Sequence, residues 1–128
     1  MADFILSRAK TLALTYTFGD GTQVIAGNPF GYLVVPFAAA IQNVVVVADA
    51  APTLFDVDIA MCALDDFPSG LTSIVGSSPP TLAGVSKVED AVLSGWTKDF
   101  ILKSVFMFTV LDTDTIKVVT ISLNVFRY

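Results

Sequence analysis

Along much of this chain apolar and polar residues alternate one for one. In TLALTYTF (11–18), Leu12, Leu14, Tyr16 and Phe18 fall on one side, against Ala13, Thr15 and Thr17 on the other. In LFDVDIAM (54–61), Phe55, Val57 and Ile59 alternate with Asp56, Asp58 and Ala60. SVFMFTVL (104–111) reads the same way. TIKVVTISLNVFRY (115–128) sets Ile116, Val118, Thr120, Leu123, Val125 and Arg127 among alternating neighbours, with an irregularity expected near Thr120. A period of two is that of a half-buried β-strand.

Gly21 to Ala48 carries no charged residue and is long enough to cross a membrane. Its contents speak against a spanning helix. Pro36 divides it, Gln42 and Asn43 stand together, and Val44–Val47 is a β-branched run that prefers extended backbone. No lysine or arginine flanks it. Pro36 instead separates two strand-length pieces, YLVV and AIQNVVVVA.

Turn residues punctuate the strands. Gly19-Asp20-Gly21 predicts a hairpin between TLALTYTF and TQVIA, and Asp112-Thr113-Asp114 predicts another. Gly27-Asn28-Pro29 and Asp49-Ala50-Ala51-Pro52 read as further turns. Val85–Leu93 is the one stretch that suggests a helical turn. From Asp65 to Lys103 the alternation loosens, and Phe67, Leu71, Ile74, Leu82 and Trp96 stand as anchors in a segment expected to wrap one end or edge of a sandwich. Seven or eight strands with one long crossover suit a single all-β domain, a Greek-key or jelly-roll β-sandwich. Its core is expected over 28–128, with 1–27 as an N-terminal hairpin or arm.

Composition changes this picture in one respect. The chain of 128 residues is 54% hydrophobic and 15% charged, against about 25% charged in an average soluble domain. Such a chain has apolar surface left to cover, and partners are the expected cover. The net charge is −5, and no lysine or arginine occurs between Lys10 and Lys87. Cations that would displace counterions from phosphate are missing, so nucleic acid is not an expected partner. No polybasic patch invites an anionic membrane. The N-terminal MADFILSRAK lacks the pattern of a signal peptide, having an early acid and late basic residues.

The chemistry on offer is sparse. The absence of histidine removes the commonest general base and the Ser-His-Asp and Cys-His arrangements. The single cysteine, Cys62, reads as a small buried hydrophobe. Asp56 and Asp58 share one face of a strand and are candidates for calcium or a sugar, though the plainer reading is the wet face of that strand. Asp65/Asp66 and Asp112/Asp114 read as turn residues. Trp96 suits core or interface packing better than stacking on a sugar. No cofactor, metal ion or catalytic residue is expected.

GYLVVPFAAAIQNVVVVADAAPTLFDVDI, SSPPTL, DAVLSGWTKDF, FMFTVL and TIKVVTISLNVF, in that order, resemble a β-sandwich domain of tailed bacteriophages found in head-decoration proteins and tail fibres. The matching elements are Val35-Pro36-Phe37, Ile41, Phe55-Asp56-Val57-Asp58, Pro79-Pro80-Thr81, Leu93-Ser94-Gly95-Trp96 and the two closing strands. Together they span about Gly31 to Phe126. The Leu-x-Gly-Trp element is the sharp one. A departure falls at Lys98–Lys103, where the family carries a Gly-Asp turn.

The resemblance implies a jelly-roll-like homotrimer on the outside of a virion, with no enzymatic activity. The leading expectation is a capsid cement protein bridging neighbouring major capsid subunits, with Phe4, Arg8 and Lys10 in a capsid-contact arm. Trp96, Phe37, Phe55 and Phe106 are expected in core or trimer packing. A tail-associated receptor-binding protein, using the Asp65–Trp96 loop, is the alternative. A hydrolase using paired aspartates is the weakest reading.

Overall fold

The computed structural model describes residues 10–111 and 115–128. Among the described residues ten strands form two antiparallel sheets. They are β1 (Thr11–Gly19), β2 (Phe30–Val35), β3 (Ala39–Ala48), β4 (Phe55–Ala63), β5 (Thr72–Ser73), β6 (Thr81–Leu82), β7 (Lys87–Asp90), β8 (Asp99–Phe100), β9 (Ser104–Leu111) and β10 (Val118–Arg127). One sheet runs β1-β10-β3-β7, with β8 also on β3; the other runs β2-β9-β4-β5, with β6 also on β4.

The pairings are nested. β1 meets β10, β2 meets β9, β3 meets β7 and β8, and β4 meets β5 and β6. That is a long double-stranded hairpin rolled into a two-sheet jelly roll. Its core lies between the sheets, where Phe55, Ile59, Leu82, Phe106, Phe108, Ile121 and Leu123 are fully buried. Each such side chain contributes about 1.5–3 kcal/mol through burial. Phe100 meets Phe106 edge-on with ring centres 5.0 Å apart, a favoured aromatic arrangement.

The uncharged run becomes a loop, then β2, a corner at Pro36, and β3, so its apolar content serves two strands. Among the described residues no helix is long and apolar enough to cross a membrane. β1 alternates as its sequence predicts, with Leu14 and Phe18 buried and Thr11, Ala13, Thr15 and Thr17 exposed.

Four expectations need correction. Gly19-Asp20-Gly21 turns the chain, and Asp20 Oδ1 accepts bonds from the Thr22 amide and hydroxyl. TQVIA forms no strand, however. Only Ile25 of that segment is buried, held by its amide on the Ile116 carbonyl. β1 instead pairs along its whole length with β10, so 11–19 belong to the sandwich and not to a separate arm. The irregularity expected near Thr120 lies elsewhere. β10 alternates strictly, and the register shift opposite Asn124/Val125 leaves Gln42 of β3 as the extra residue. This bulge lets Ile41 and Val44 both face the core while Gln42 and Asn43 stay outside. Val85–Leu93 makes no helical turn; Lys87–Asp90 is β7, pairing with Val44–Val47. The hairpin expected at 112–114 lies outside the described residues.

Candidate interaction surface

β2 is apolar on both faces, and only one of them is needed for the core. Gly31, Leu33 and Val35 turn inward, while Phe30, Tyr32 and Val34 turn out and are 58%, 45% and 54% exposed. The Phe30 and Tyr32 rings meet edge-on at 5.7 Å, and Tyr32 meets Phe67 edge-on at 5.1 Å. Beside them on β9, Thr109, Met107 and Val105 stand opposite Phe30, Tyr32 and Val34. Neither β2 nor β9 carries a charged residue, in a chain whose net charge is −5, and on the neighbouring β4 the same face turns acidic at Asp58, opposite Thr109.

Near the β2–β3 corner the same outer face is roofed by the segment from Leu64 to Leu71. Its 3-10 turn at Leu64–Asp66 is closed by the Phe67 amide on the Leu64 carbonyl. Beneath it Ala60, Cys62 and Val105 are buried, outside the main core. Cys62 is thus a packed hydrophobe, as read from its neighbours, and burial raises its thiol pKa, with the Asp66 charge adding to this.

Phe55 and Phe106 are fully buried, and Trp96 is 7% exposed, so all three serve the core. Phe37 is half-buried against that core, 6.5 Å from Phe100. Trp96 donates its indole N–H to the Ser78 carbonyl at 2.9 Å, and its burial leaves no open ring face for a sugar. The Leu93-Ser94-Gly95-Trp96 element is a tight turn, closed by the Trp96 amide on the Leu93 carbonyl at 3.1 Å. Gly95 takes φ +77° and Leu93 φ +53°. The Leu93 conformation is held by burial and by Asp90 Oδ1, which accepts from the Val92 and Leu93 amides.

Phe4 and Arg8 lie outside the described residues. Lys10 sets its ammonium 5.8 Å from the centre of the Phe126 ring, a cation–π contact within its own domain. Asp56 and Asp58 do lie on the outer face of β4, and each is engaged. Thr81 Oγ1 donates to Asp56 and Ser73 Oγ donates to Asp58, at 2.6 and 2.7 Å. These bonds tie β6 and β5 to β4. Among the described residues no group of three or more histidine, cysteine, aspartate or glutamate side chains could hold a metal ion.

An open cleft of about 330 Å³ lies where β4, β8 and the C-terminal residue meet, lined by Met61, Cys62, Phe100, Ile101, Ser104 and Tyr128. At its rim Tyr128 donates its hydroxyl to Asp99, a bond that raises the phenol pKa. The lining offers an apolar hollow without an activated nucleophile.

Alternation alone does not single out the outward side of β2. The signal was in Phe30-Gly31-Tyr32-Leu33-Val34-Val35. A strand apolar at both parities belongs to a buried central position or has an outer face that something else covers.

No protein-family model matches the chain, and no characterised protein matches it in sequence. Some solved structures are weakly similar to it. PirA is 7% identical with a TM-score of 0.44, covering 91% of this chain and 93% of that one. A serine protease of Aeromonas sobria is 9% identical with a TM-score of 0.38, and the likeness takes in 27% of the protease. PliG of Aeromonas hydrophila, a periplasmic inhibitor of g-type lysozyme, is 14% identical with a TM-score of 0.32. Likenesses at this level carry no argument about function.

Proposed function

We propose that this chain is a non-enzymatic structural subunit of a bacteriophage virion, a cement protein that sits as a homotrimer on the outer capsid surface and bridges neighbouring major capsid subunits. The observation that carries the reading is the uncharged outer face of Phe30, Tyr32, Val34 and Met107. An exposed apolar face of this kind suits a partner that buries it. The Leu93–Trp96 turn is built from the sharpest of the sequence elements on which the resemblance to the phage domain rests. Covering the half of each such side chain that is exposed contributes about 1 kcal/mol per residue, an increment that many symmetric contacts multiply.

The test adds purified protein to expanded heads that lack it. Saturable binding is expected for the wild type, with a loss of at least about tenfold for Met107→Lys, whose charge would enter a dry interface. Wild-type protein that leaves such heads bare would overturn the cement reading. The tail-associated reading places recognition in the Asp65–Trp96 loop, and gold labelling of separated heads and tails distinguishes the two.

A further inference from the structure

The same side of the jelly roll carries two unpaired strand edges. β1 ends one sheet and β2 ends the other, and among the described residues no strand pairs with their outer sides. They flank one opening, since the Tyr16 ring of β1 lies against Gly31 of β2. Natural sheets protect long edges with charge, proline or bulges. Neither strand has any of these. β1 runs nine residues in unbroken register with β10, and β2 runs six, all uncharged, with prolines only beyond its ends at Pro29 and Pro36.

The ladder phase fixes which backbone groups are open. The Val110 amide bonds the Pro29 carbonyl and the Arg127 amide bonds the Lys10 carbonyl. By alternation, Gly31, Leu33 and Val35 bond inward to β9, and the N–H and C=O groups of Phe30, Tyr32 and Val34 point away from the sheet. On β1 the outward set is Thr11, Ala13, Thr15 and Thr17.

We propose that copies of this chain assemble edge to edge, with β1 of one copy pairing with β2 of the next around an axis parallel to the strands. Two features select a second copy as the occupant. A ring with such an axis needs two different complementary surfaces on one chain, and here are two neutral edges side by side. Rotation about that axis preserves strand direction. β1 and β2 run oppositely within one copy, so β1 of one meets β2 of the next antiparallel, the commoner and slightly more stable pairing. Charge agrees: acidic copies repel one another over most of their surface, and the two edges are free of charge. The proposal stands on the edges alone and does not rest on the virion reading.

The experiment blocks each edge separately. Proline at an outward-pointing edge position removes a donor that the chain's own ladder does not use. Thr15→Pro blocks β1 and Tyr32→Pro blocks β2. By sedimentation and light scattering the wild type is expected as a closed oligomer of at least three copies of the 13.6 kDa chain. Each variant alone is expected as a monomer, and their mixture as a one-to-one dimer joined by the remaining β1 and β2 edges. Amide exchange at Ala13, Thr17 and Val34 should be at least tenfold slower in the wild type than in either variant alone. A monomeric wild type, or a Thr15→Pro chain that pairs with itself through β2, overturns the proposal. Should either proline unfold the chain, lysine at the same position supplies the block, and circular dichroism shows whether the fold is kept. Failure here with intact head binding removes the homotrimer but leaves the cement reading standing, and the Met107→Lys result bears on that reading alone.

Discussion

Tyr16 of β1 occupies the space that a side chain on Gly31 of β2 would need. A Cβ built on Gly31 would overlap the Tyr16 phenol group, whose ring is also stacked 5.6 Å from Phe108 and tilted 4.8 Å from Phe18. The glycine in FGYLVV is therefore a packing requirement, set by a ring arriving from the other sheet.

Gly31→Ala should destabilise the domain by about 1–3 kcal/mol, the range for overpacking a filled site. Tyr16→Leu alone should also cost stability. The double variant should cost less than the two singles summed, because the smaller side chain leaves room for the new methyl. Urea unfolding of the four proteins measures this, and simple additivity would show that the two residues do not compete for the same space.

Trp96→Phe keeps most of the ring but removes the donor to the Ser78 carbonyl. A half-buried acceptor left without its partner costs about 1–3 kcal/mol. The loss is expected in the thermal midpoint followed by circular dichroism. In the parent, Trp96 fluorescence should shift to longer wavelength on unfolding in the same transition. A separate earlier shift would mean that the 74–97 segment opens on its own.

Asp49 accepts the Val118 and Lys117 amides at 3.0 and 2.8 Å, and these bonds hold its pKa below the ordinary carboxylate value. Asp20 is lowered likewise, first by the Thr22 amide. A carboxyl with a folded pKa below the unfolded one stabilises fully above the unfolded value, about 3.9. That contribution fades as pH falls through the folded value. The thermal midpoint should thus drop as pH is lowered below about 4, and Asp49→Asn should flatten the drop. An unchanged acid profile in Asp49→Asn would remove Asp49 from the account.

Cys62 lies under the 64–71 roof and at the edge of the open cleft, 8% exposed, with its thiol pKa raised, so thiolate is scarce and access is narrow. Alkylation at neutral pH should be slowed at least about tenfold relative to protein in denaturant. Mass spectrometry of the labelled chain follows this directly. Rapid labelling of native protein would place the roof elsewhere.

The strands were legible wherever one face is wet and the other dry. TLALTYTF and SVFMFTVL fall within a residue of β1 and β9, and LFDVDIAM starts one residue before β4 and stops two short of its end, because period two is imposed by a single core face. Partner choice was not legible. Gly19-Asp20-Gly21 has the composition of a hairpin turn, but pairing follows where Phe18, Tyr16 and Leu14 can be buried, and that is beside Ile121 and Leu123 at the far end of the sequence. The bulge at Gln42 was visible only as two polar residues in a row. The candidate surface was missed for a related reason: alternation reveals which residues face the core, and it is silent about what lies against the other side.

The nested pairing of β1 with β10 has a consequence for synthesis. Thr11 finds its neighbour Phe126 only after nearly the entire chain has left the ribosome. β10 then enters between β1 and β3, so the first sheet cannot close around its centre any sooner. Throughout translation Leu12, Leu14, Tyr16 and Phe18 wait without a partner strand. A stop codon before Val118 would release a product with one sheet lacking its middle, and such a product is a substrate for chaperones and proteases, not a shorter version of the same protein.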